Sequence, residues 1–153
     1  GDHGDLHSFP TRRSSDLAPH ADIAGVLVSR MDVEPGVEVI IGGLNDPTFG
    51  PTVMFGLGGI FVETLKDVAF RICPLDETDA REMIREIKGF PLLAGARGAT
   101  PADLEAIRRA LLSVSRLLIA HPEIQEIDLN PDKVHARGLQ ALDARVIASG
   151  VAP

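Results

Sequence analysis

Short apolar runs bounded by Gly and Pro dominate the first half of the chain. The segments "GVLVSRM" (25–31), Val37–Ile41, "PTVMF" (51–55) and "VAFRIC" (68–73) are rich in Val, Ile and Phe, a composition typical of β-strands. The stretch "GGLNDPTFG" after the second run is rich in Gly, Asn, Asp and Pro, which predicts a loop there. The pattern therefore predicts four strands in this half.

A helical period replaces this pattern from residue 76 onward. Asp76, with an acidic residue three positions later, predicts the start of a helix over "ETDAREMIREIK" (77–88). A second helix is predicted with Thr100 as its cap, Pro101 in its first turn and an end at His121. The expected buried stripes are Ala80, Met83, Ile84 and Ile87 in the first helix, and Leu104, Ile107, Leu111, Val114 and Leu118 in the second.

Alternating apolar and polar residues return near the C-terminus. Residues 124–130 and 139–147 predict two strands, and "PDKVHARG" between them fits either a further short strand or a hairpin loop. Pro131 removes a backbone donor and is expected to end the first of these strands. In the second strand, the residues expected to share one face are Leu139, Ala141, Asp143 and Arg145.

Three oxygen-bearing side chains, Glu126, Asp128 and Asn130, are expected on the open face of the first of these strands, because apolar residues alternate with them. If the two C-terminal strands are antiparallel neighbours, Asp143 lies opposite Asp128 or Asn130. Carboxylate and amide oxygens are ligands that Mg²⁺ prefers. An exposed strand face with an Arg145–Asp143 ion pair accounts for the same residues, and spacing alone does not choose between the two.

Composition narrows the range of partners. The 153 residues are 44% hydrophobic and carry a net charge of −7, which argues against nucleic acid or an anionic membrane surface as the main partner. No apolar run is long enough to predict a membrane span. The single cysteine, Cys73, excludes an internal disulfide and fits a reducing, cytoplasmic location.

The first 17 residues differ from the rest of the chain. They mix Gly, Asp, His, Arg and Ser without a strand or helix period, and "HSFPTRRSSDL" resembles translated adapter sequence that contaminates assembled sequencing reads. We therefore expect residues 1–17 to be a non-native or disordered tail, and residues 18–150 to form the domain.

Five segments carry a resemblance to a known family. They are "GVLVSRM", "GVEVIIGGLNDPTFGPTVMFGLGGIFVETLKDVAFRICPL", "AREMIREIKGFPLLAGARG", "IQEIDLNP" and "ALDARV", in that order. From about Ala18 to Ala148 the chain resembles the C-terminal part of the ATP-grasp domain of nucleoside-diphosphate-forming acyl-CoA synthetases. These are relatives of ADP-forming acetate–CoA ligase and of the succinyl-CoA synthetase β subunit. The resemblance implies an α+β lobe with a mainly antiparallel sheet packed against two principal helices.

The resemblance also implies roles for individual residues. Asp128, Asn130 and Asp143 match the family's metal ligands, and Asp128 matches an acidic residue that steadies a phosphohistidine, with Asp where the succinyl-CoA synthetase branch has Glu. Glu38 matches a residue that holds ribose hydroxyls. The other implied contacts are Val28, Ser29 and Met31 at the adenine edge, and Gly58, Gly59 and Arg145 at phosphate or a phosphohistidine loop.

An acyl-CoA synthetase of this family needs more than this lobe. The resemblance implies Mg²⁺ and ATP or ADP as ligands, and as partners an N-terminal ATP-grasp lobe that we do not find in this sequence, CoA-binding and ligase domains or a subunit, and further copies in an oligomer. Two other functions are compatible with the same residues. One is a regulatory ATP-grasp-like region of a protein lysine acetyltransferase, and the other is a non-catalytic assembly lobe.

Overall fold

Strands make up one continuous antiparallel sheet in the computed structural model, which describes residue 28, residues 30–59 and residues 67–150. The strands are β1 (Val37–Asp46), β2 (Gly50–Leu57), β3 (Val68–Ile72), β4 (Ile124–Val134), β5 (Leu139–Ala141) and β6 (Ala144–Ala148). Their order is β3-β2-β1-β4-β5, and β6 also pairs with β4. All of these elements belong to the second of two compact units, Gly1–Val33 and Glu34–Pro153. The strand predicted at 25–31 falls largely outside the described residues.

The first hairpin is longer than the sequence predicted. β1 runs through "GGLND", which was predicted to be a loop, and the chain turns only at residues 47–49. Asp46 makes this turn, because its carboxylate accepts the Thr48 and Phe49 N–H groups at 2.7 and 2.9 Å. The two glycines of "GGLND" lie inside the sheet. A Cβ atom on Gly43 would lie 3.0 Å from the side chains of Val114 and Leu118, so glycine lets a helix approach the sheet closely.

Two principal helices cover one face of the sheet. They are α1 (Glu77–Glu86) and α3 (Leu104–Ala120), with a short α2 (Phe90–Leu93) and a 3₁₀ turn (Ala96–Gly98) between them. The capping box predicted at Asp76 is confirmed, and α1 ends two residues earlier than predicted. The predicted stripes are confirmed as core: all their members are buried except Leu104, which packs half-buried against the others.

The predicted cap of α3 is wrong. The helix begins at Leu104, and its cap is Asp103 instead of Thr100. The Asp103 carboxylate accepts the Ala106 N–H at 2.9 Å and the Gly138 N–H at 2.8 Å, while the Asp103 N–H donates to the His135 carbonyl at 2.8 Å. These bonds to the β4–β5 hairpin hold the chain in a non-helical conformation until residue 104, so Pro101 does not enter the helix.

β4 passes through Pro131, where the sequence predicted that it would end. It continues to Val134 and pairs with β1 on one side and with β5 and β6 on the other. Its register against β1 shifts between Val39 and Ile41, which face Asp132 and Leu129, so β4 carries one extra residue there. Such a bulge accommodates Pro131 and changes which face the following side chains occupy.

The strand predicted at 139–147 is interrupted. β5 and β6 both pair with β4 in one antiparallel register from Glu126 to Val134, and the register shifts between Ile124 and Glu126. Leu142 and Asp143, between β5 and β6, have no strand conformation. Leu139 packs against the core, whereas Arg145 lies on the open face with Asp128. The prediction that these two residues share a face is therefore wrong, because the interruption between β5 and β6 lies beside the bulge in β4.

None of the helices in the described part of the chain is long and apolar enough to cross a membrane.

Candidate functional site

The open face of the sheet, opposite the helices, carries the predicted polar row. Ile127 of β4 is buried in the core, while Glu126 and Asp128 on either side of it are partly exposed. Asp128 lies directly opposite Gly42 of β1, and Glu126 lies opposite Leu44. The alternation predicted for this strand is confirmed up to the bulge.

Asn130 and Asp143 are direct neighbours across the strand pair. The Asn130 N–H donates to the Asp143 carbonyl oxygen at 3.3 Å, in the same register that places Arg145 opposite Asp128. The two segments are therefore antiparallel neighbours, which is the condition under which the sequence places Asp143 opposite Asp128 or Asn130. Both side chains are exposed, and the Asp143 carboxylate turns back to accept the Ala144 N–H at 2.9 Å.

Arg145 binds to carboxylates of β4 and not to Asp143. Its Nη2 lies 2.5 Å from Glu126 Oε1 and 3.8 Å from Asp128 Oδ2. The Arg145–Asp143 ion pair, which was the other explanation of these residues, does not form. Arg145 contacts the neighbouring strand instead. The sequence did not indicate a role for Glu126 beyond its place in the polar row.

Glu38 of β1 and the glycines after β2 are brought together. The Gly58 N–H donates to the Glu38 carbonyl oxygen at 2.8 Å, and a Cβ atom on Gly58 would lie 3.0 Å from the Glu38 Cβ. Gly59 has a φ of +61°, a conformation that L side chains rarely adopt, and its Cβ position is 3.8 Å from Glu38 Oε2. Because the Gly58 N–H is used within the fold, Gly58 can serve a ligand only by close backbone approach.

The residues predicted at the adenine edge belong to the first unit of the chain. Val28 and Met31 are 88% and 79% exposed, and Ser29 lies outside the described residues. Their assignment stays a prediction.

Asp132 was missed by the sequence analysis. It lies opposite Val39 on the core side of β4, its side chain is fully buried, and neither carboxylate oxygen has a hydrogen-bond partner. Burial raises the pKa of the Asp132 carboxyl to about 7. Simple alternation would place Asp132 on the open face with Asp128 and Asn130, so only the bulge reveals its position.

The donor atoms on the open face suit a hard cation. Two carboxylates and one amide oxygen from adjacent strand segments are the ligand types of Mg²⁺, which fills its other positions with water and phosphate oxygens. No group of three or more His, Cys, Asp or Glu within the described residues is arranged to hold a metal ion. A site built from Asp128, Asn130 and Asp143 therefore depends on ligands from outside these side chains.

A broad apolar concavity of about 730 Å³ adjoins Asp128 on the same face. Its exposed apolar side chains include Leu44, Phe49, Phe70 and Ile72, which are 48%, 67%, 55% and 57% exposed. Asp128 thus lies where a polar cluster meets an apolar surface.

Comparison with known proteins identifies relatives along most of the chain. The family profile described as "ATP-grasp domain" matches residues 11–148. The β subunit of ADP-forming acetate–CoA ligase I of Pyrococcus furiosus is 54% identical over 129 residues, which cover 84% of this chain and 55% of that subunit. The β subunit of ligase II of the same organism is 57% identical over 135 residues, covering 86% and 57%. The match begins at residue 11, and the origin of residues 1–17 stays a prediction.

Solved structures show the same fold. The dinucleotide forming acetyl-coenzyme A synthetase 1 of Ca. Korarchaeum cryptofilum, in complex with coenzyme A, Ca-AMPCP and HgCl⁺, has a TM-score of 0.84 and 50% identity, covering 88% of this chain and 58% of that one. A complex of the same synthetase with coenzyme A and Mg-AMPPCP has a TM-score of 0.73 and 53% identity, covering 76% and 55%. The chain spans a little more than half the length of these relatives. The predicted α+β lobe is confirmed.

Proposed function

Because this chain belongs to the ATP-grasp domain family, we propose that it forms the nucleotide- and Mg²⁺-binding C-terminal lobe of an ADP-forming acyl-CoA synthetase. That enzyme interconverts acyl-CoA, ADP and phosphate with the free acid, CoA and ATP, by way of acyl phosphate and a phosphohistidine. One observation supports the assignment of the metal ligands: the Asn130 N–H bonds to the Asp143 carbonyl at 3.3 Å, and Asp128 lies on the same strand as Asn130.

Each of the three residues contributes an oxygen ligand. When bound, Mg²⁺ supplies the positive charge that offsets the charge of the terminal phosphates during phosphoryl transfer. Asp128 and Asp143 provide carboxylates and Asn130 an amide oxygen. Asp128, which also borders the apolar concavity, is in addition the residue that steadies a phosphohistidine.

The nucleotide lies on the open face of the sheet, between Glu38 and Asp128. Glu38 accepts hydrogen bonds from ribose hydroxyls, and the backbone at Gly58 and Gly59 lies beside it, close enough for a ligand to approach without a Cβ in the way. Arg145 offsets phosphate charge next to Asp128. The family resemblance assigns Val28, Ser29 and Met31 to the adenine edge, and that assignment stays a prediction.

The length of the relatives supports the proposal that this lobe has partners. Two of them are named β subunits, and this chain covers 55% and 57% of their lengths. The lobe works together with an N-terminal ATP-grasp lobe and with CoA-binding and ligase domains or a subunit. The isolated chain is inactive and binds nucleotide weakly. The relatives described above are ligases or synthetases, which favours this function over a regulatory region of a lysine acetyltransferase or an assembly lobe.

The test uses a hybrid subunit in which this chain replaces the matched 129 residues of the Pyrococcus furiosus ligase I β subunit. Isothermal titration with Mg²⁺ and ATP is compared for the parent hybrid, Asp128→Asn and Asp143→Asn. We expect each variant to lose about 1–3 kcal/mol of Mg²⁺-dependent binding free energy, the usual loss for a contact to a charged group.

Glu82→Gln serves as the control. Glu82 is an exposed carboxylate of α1, on the helical side of the sheet, so the same loss of charge there should leave binding unchanged. If Asp128→Asn and Asp143→Asn bind Mg²⁺ and ATP like Glu82→Gln, the metal assignment is wrong. A parent hybrid that binds no nucleotide at all would favour an assembly lobe.

A further inference from the structure

Arg145 contacts two carboxylates of the neighbouring strand. The shorter contact is with the carboxylate that is not its partner in the strand register. Its register partner across β4 and β6 is Asp128, and Glu126 is paired with Ile147. Yet Arg145 Nη2 is 2.5 Å from Glu126 Oε1 and 3.8 Å from Asp128 Oδ2. The guanidinium group thus reaches diagonally past the residue it faces.

Stability does not account for this arrangement. The side chains of Arg145, Glu126 and Asp128 are 60%, 38% and 36% exposed. Exposed ion pairs contribute little to folding because solvent screens them and ordering two long side chains costs entropy.

The position of the guanidinium group decides whether Asp128 is available to a ligand. An arginine readily binds a carboxylate through two parallel hydrogen bonds, and such a pair would occupy both oxygens of Asp128. A cation bound to those oxygens would also meet the positive charge of Arg145 at close range. At 3.8 Å with its main bond elsewhere, Arg145 leaves Asp128 accessible.

We propose that Glu126 is a positioning residue that draws Arg145 away from Asp128, which keeps the Asp128 carboxylate open to the metal while the guanidinium group stays beside the phosphates. This inference rests on the proposed function and adds a residue that acts only through Arg145. Removing the charge of Glu126 releases Arg145 onto Asp128, so metal binding weakens although no ligand has been lost.

The test measures metal affinity without catalysis. Mn²⁺, which replaces Mg²⁺ and is visible by electron paramagnetic resonance, is titrated into the hybrid subunit in the presence of ADP. We expect Glu126→Gln to bind Mn²⁺ about tenfold more weakly, the size of effect for one disturbed charged contact. Glu126→Asp, which keeps the charge, should recover part of the affinity.

A double-mutant cycle separates positioning from direct attraction. If Glu126 acts through Arg145, then Glu126→Gln should change Mn²⁺ affinity little in an Arg145→Gln background. An equal loss in both backgrounds would mean that Glu126 attracts or ligates the metal itself, and no loss in either would mean that it plays no part. Both results overturn the inference.

A matched control and the parent hybrid complete the design. Glu123→Gln removes another exposed carboxylate next to β4, whose Oε1 lies 3.0 Å from His121 Nδ1, and should leave Mn²⁺ affinity unchanged. If the parent binds Mn²⁺, Asp128→Asn weakens it and Glu126→Gln does not, only the positioning role fails. If Asp128→Asn also has no effect, the proposed function fails instead.

Discussion

The environment of Asp132 conflicts with the chemistry of its carboxyl group. A fully buried carboxylate without a hydrogen-bond partner is costly, because burial disfavours the charged form. Replacing it with Val, which suits a strand core, should therefore raise the free energy of unfolding at pH 8 by roughly 1–3 kcal/mol. Urea denaturation of the chain measures the difference. Equal stability of Asp132→Val and the parent would show that the side chain finds a partner or water in solution.

The same residue predicts how stability depends on pH. The pKa of Asp132 is raised in the folded state from 3.8 to about 7, so between these values the folded chain holds a proton that the unfolded chain has released. The stabilisation that comes from the raised pKa of Asp132 is fully present below pH 3.8 and is lost as the pH rises to about 7. The stability gap between Asp132→Val and the parent should thus widen from pH 4 to 7. Asp132→Asn, which does not titrate, should follow the pH profile of Asp132→Val.

At the scale of elements, one carboxylate joins a helix to a hairpin. Asp103 caps α3 through the Ala106 N–H and holds the β4–β5 hairpin through the Gly138 N–H. Asp103→Ala should lower the free energy of unfolding by about 1–2 kcal/mol, the upper part of the range for a lost cap. Thr100→Ala, at the position that the sequence predicted as the cap, is the control and should change it by less than about 0.5 kcal/mol. Equal losses in the two variants would contradict the observed cap.

Acid should weaken the hydrogen bonds by which the Asp103 carboxylate joins α3 to the β4–β5 hairpin. Hydrogen bonds from the Gly138 and Ala106 N–H groups hold the pKa of Asp103 below its usual value of 3.8. The stabilisation from this lowered pKa is present above pH 3.8 and is lost as the pH falls through the lower pKa of the folded state. Chemical shifts of the Gly138 amide, followed by NMR during acid titration, should report this loss. An Asp103 that titrates at its usual value would contradict the observed bonds.

At the scale of the whole molecule, the open face of the sheet carries exposed apolar side chains among the residues that the structure describes. Leu44, Phe49, Phe70 and Ile72 are each about half or more exposed around the concavity next to Asp128. Apolar patches of this kind usually mark a contact with another protein surface. We expect the isolated chain to enhance the fluorescence of 8-anilinonaphthalene-1-sulfonate, and the hybrid subunit to do so much less.

Single variants test where the dye binds. Phe70→Gln should lower the fluorescence of the isolated chain, while Leu117→Gln, on the exposed side of α3, should not. Both side chains are partly exposed, so both variants should keep the melting temperature of the parent within about 2 °C. Equal fluorescence of the chain and the hybrid would indicate that the open face stays uncovered in the longer subunit.

Local chemistry by itself determined a large part of this fold. The Asp76 capping box, the apolar stripes of α1 and α3 and the alternation of Glu126, Ile127 and Asp128 depend on residues close together in the chain, so a pattern is enough to find them. The order of the motifs also indicated the family. The antiparallel pairing that brings Asn130 to Asp143 was only supposed from the sequence, and the structure shows it.

Only the tertiary structure decided the features that depend on distant partners. Asp103 replaces Thr100 as the cap because it bonds to Gly138, 35 residues away. The bulge of β4 against β1 turns Asp132 into the core, although the period of the strand points it outward. Arg145 hydrogen-bonds to Glu126, 19 residues away, and not to Asp128, its partner in the strand register. Hydrogen bonds and ion pairs between distant segments form only once the chain has folded, so no local period of the sequence contains them.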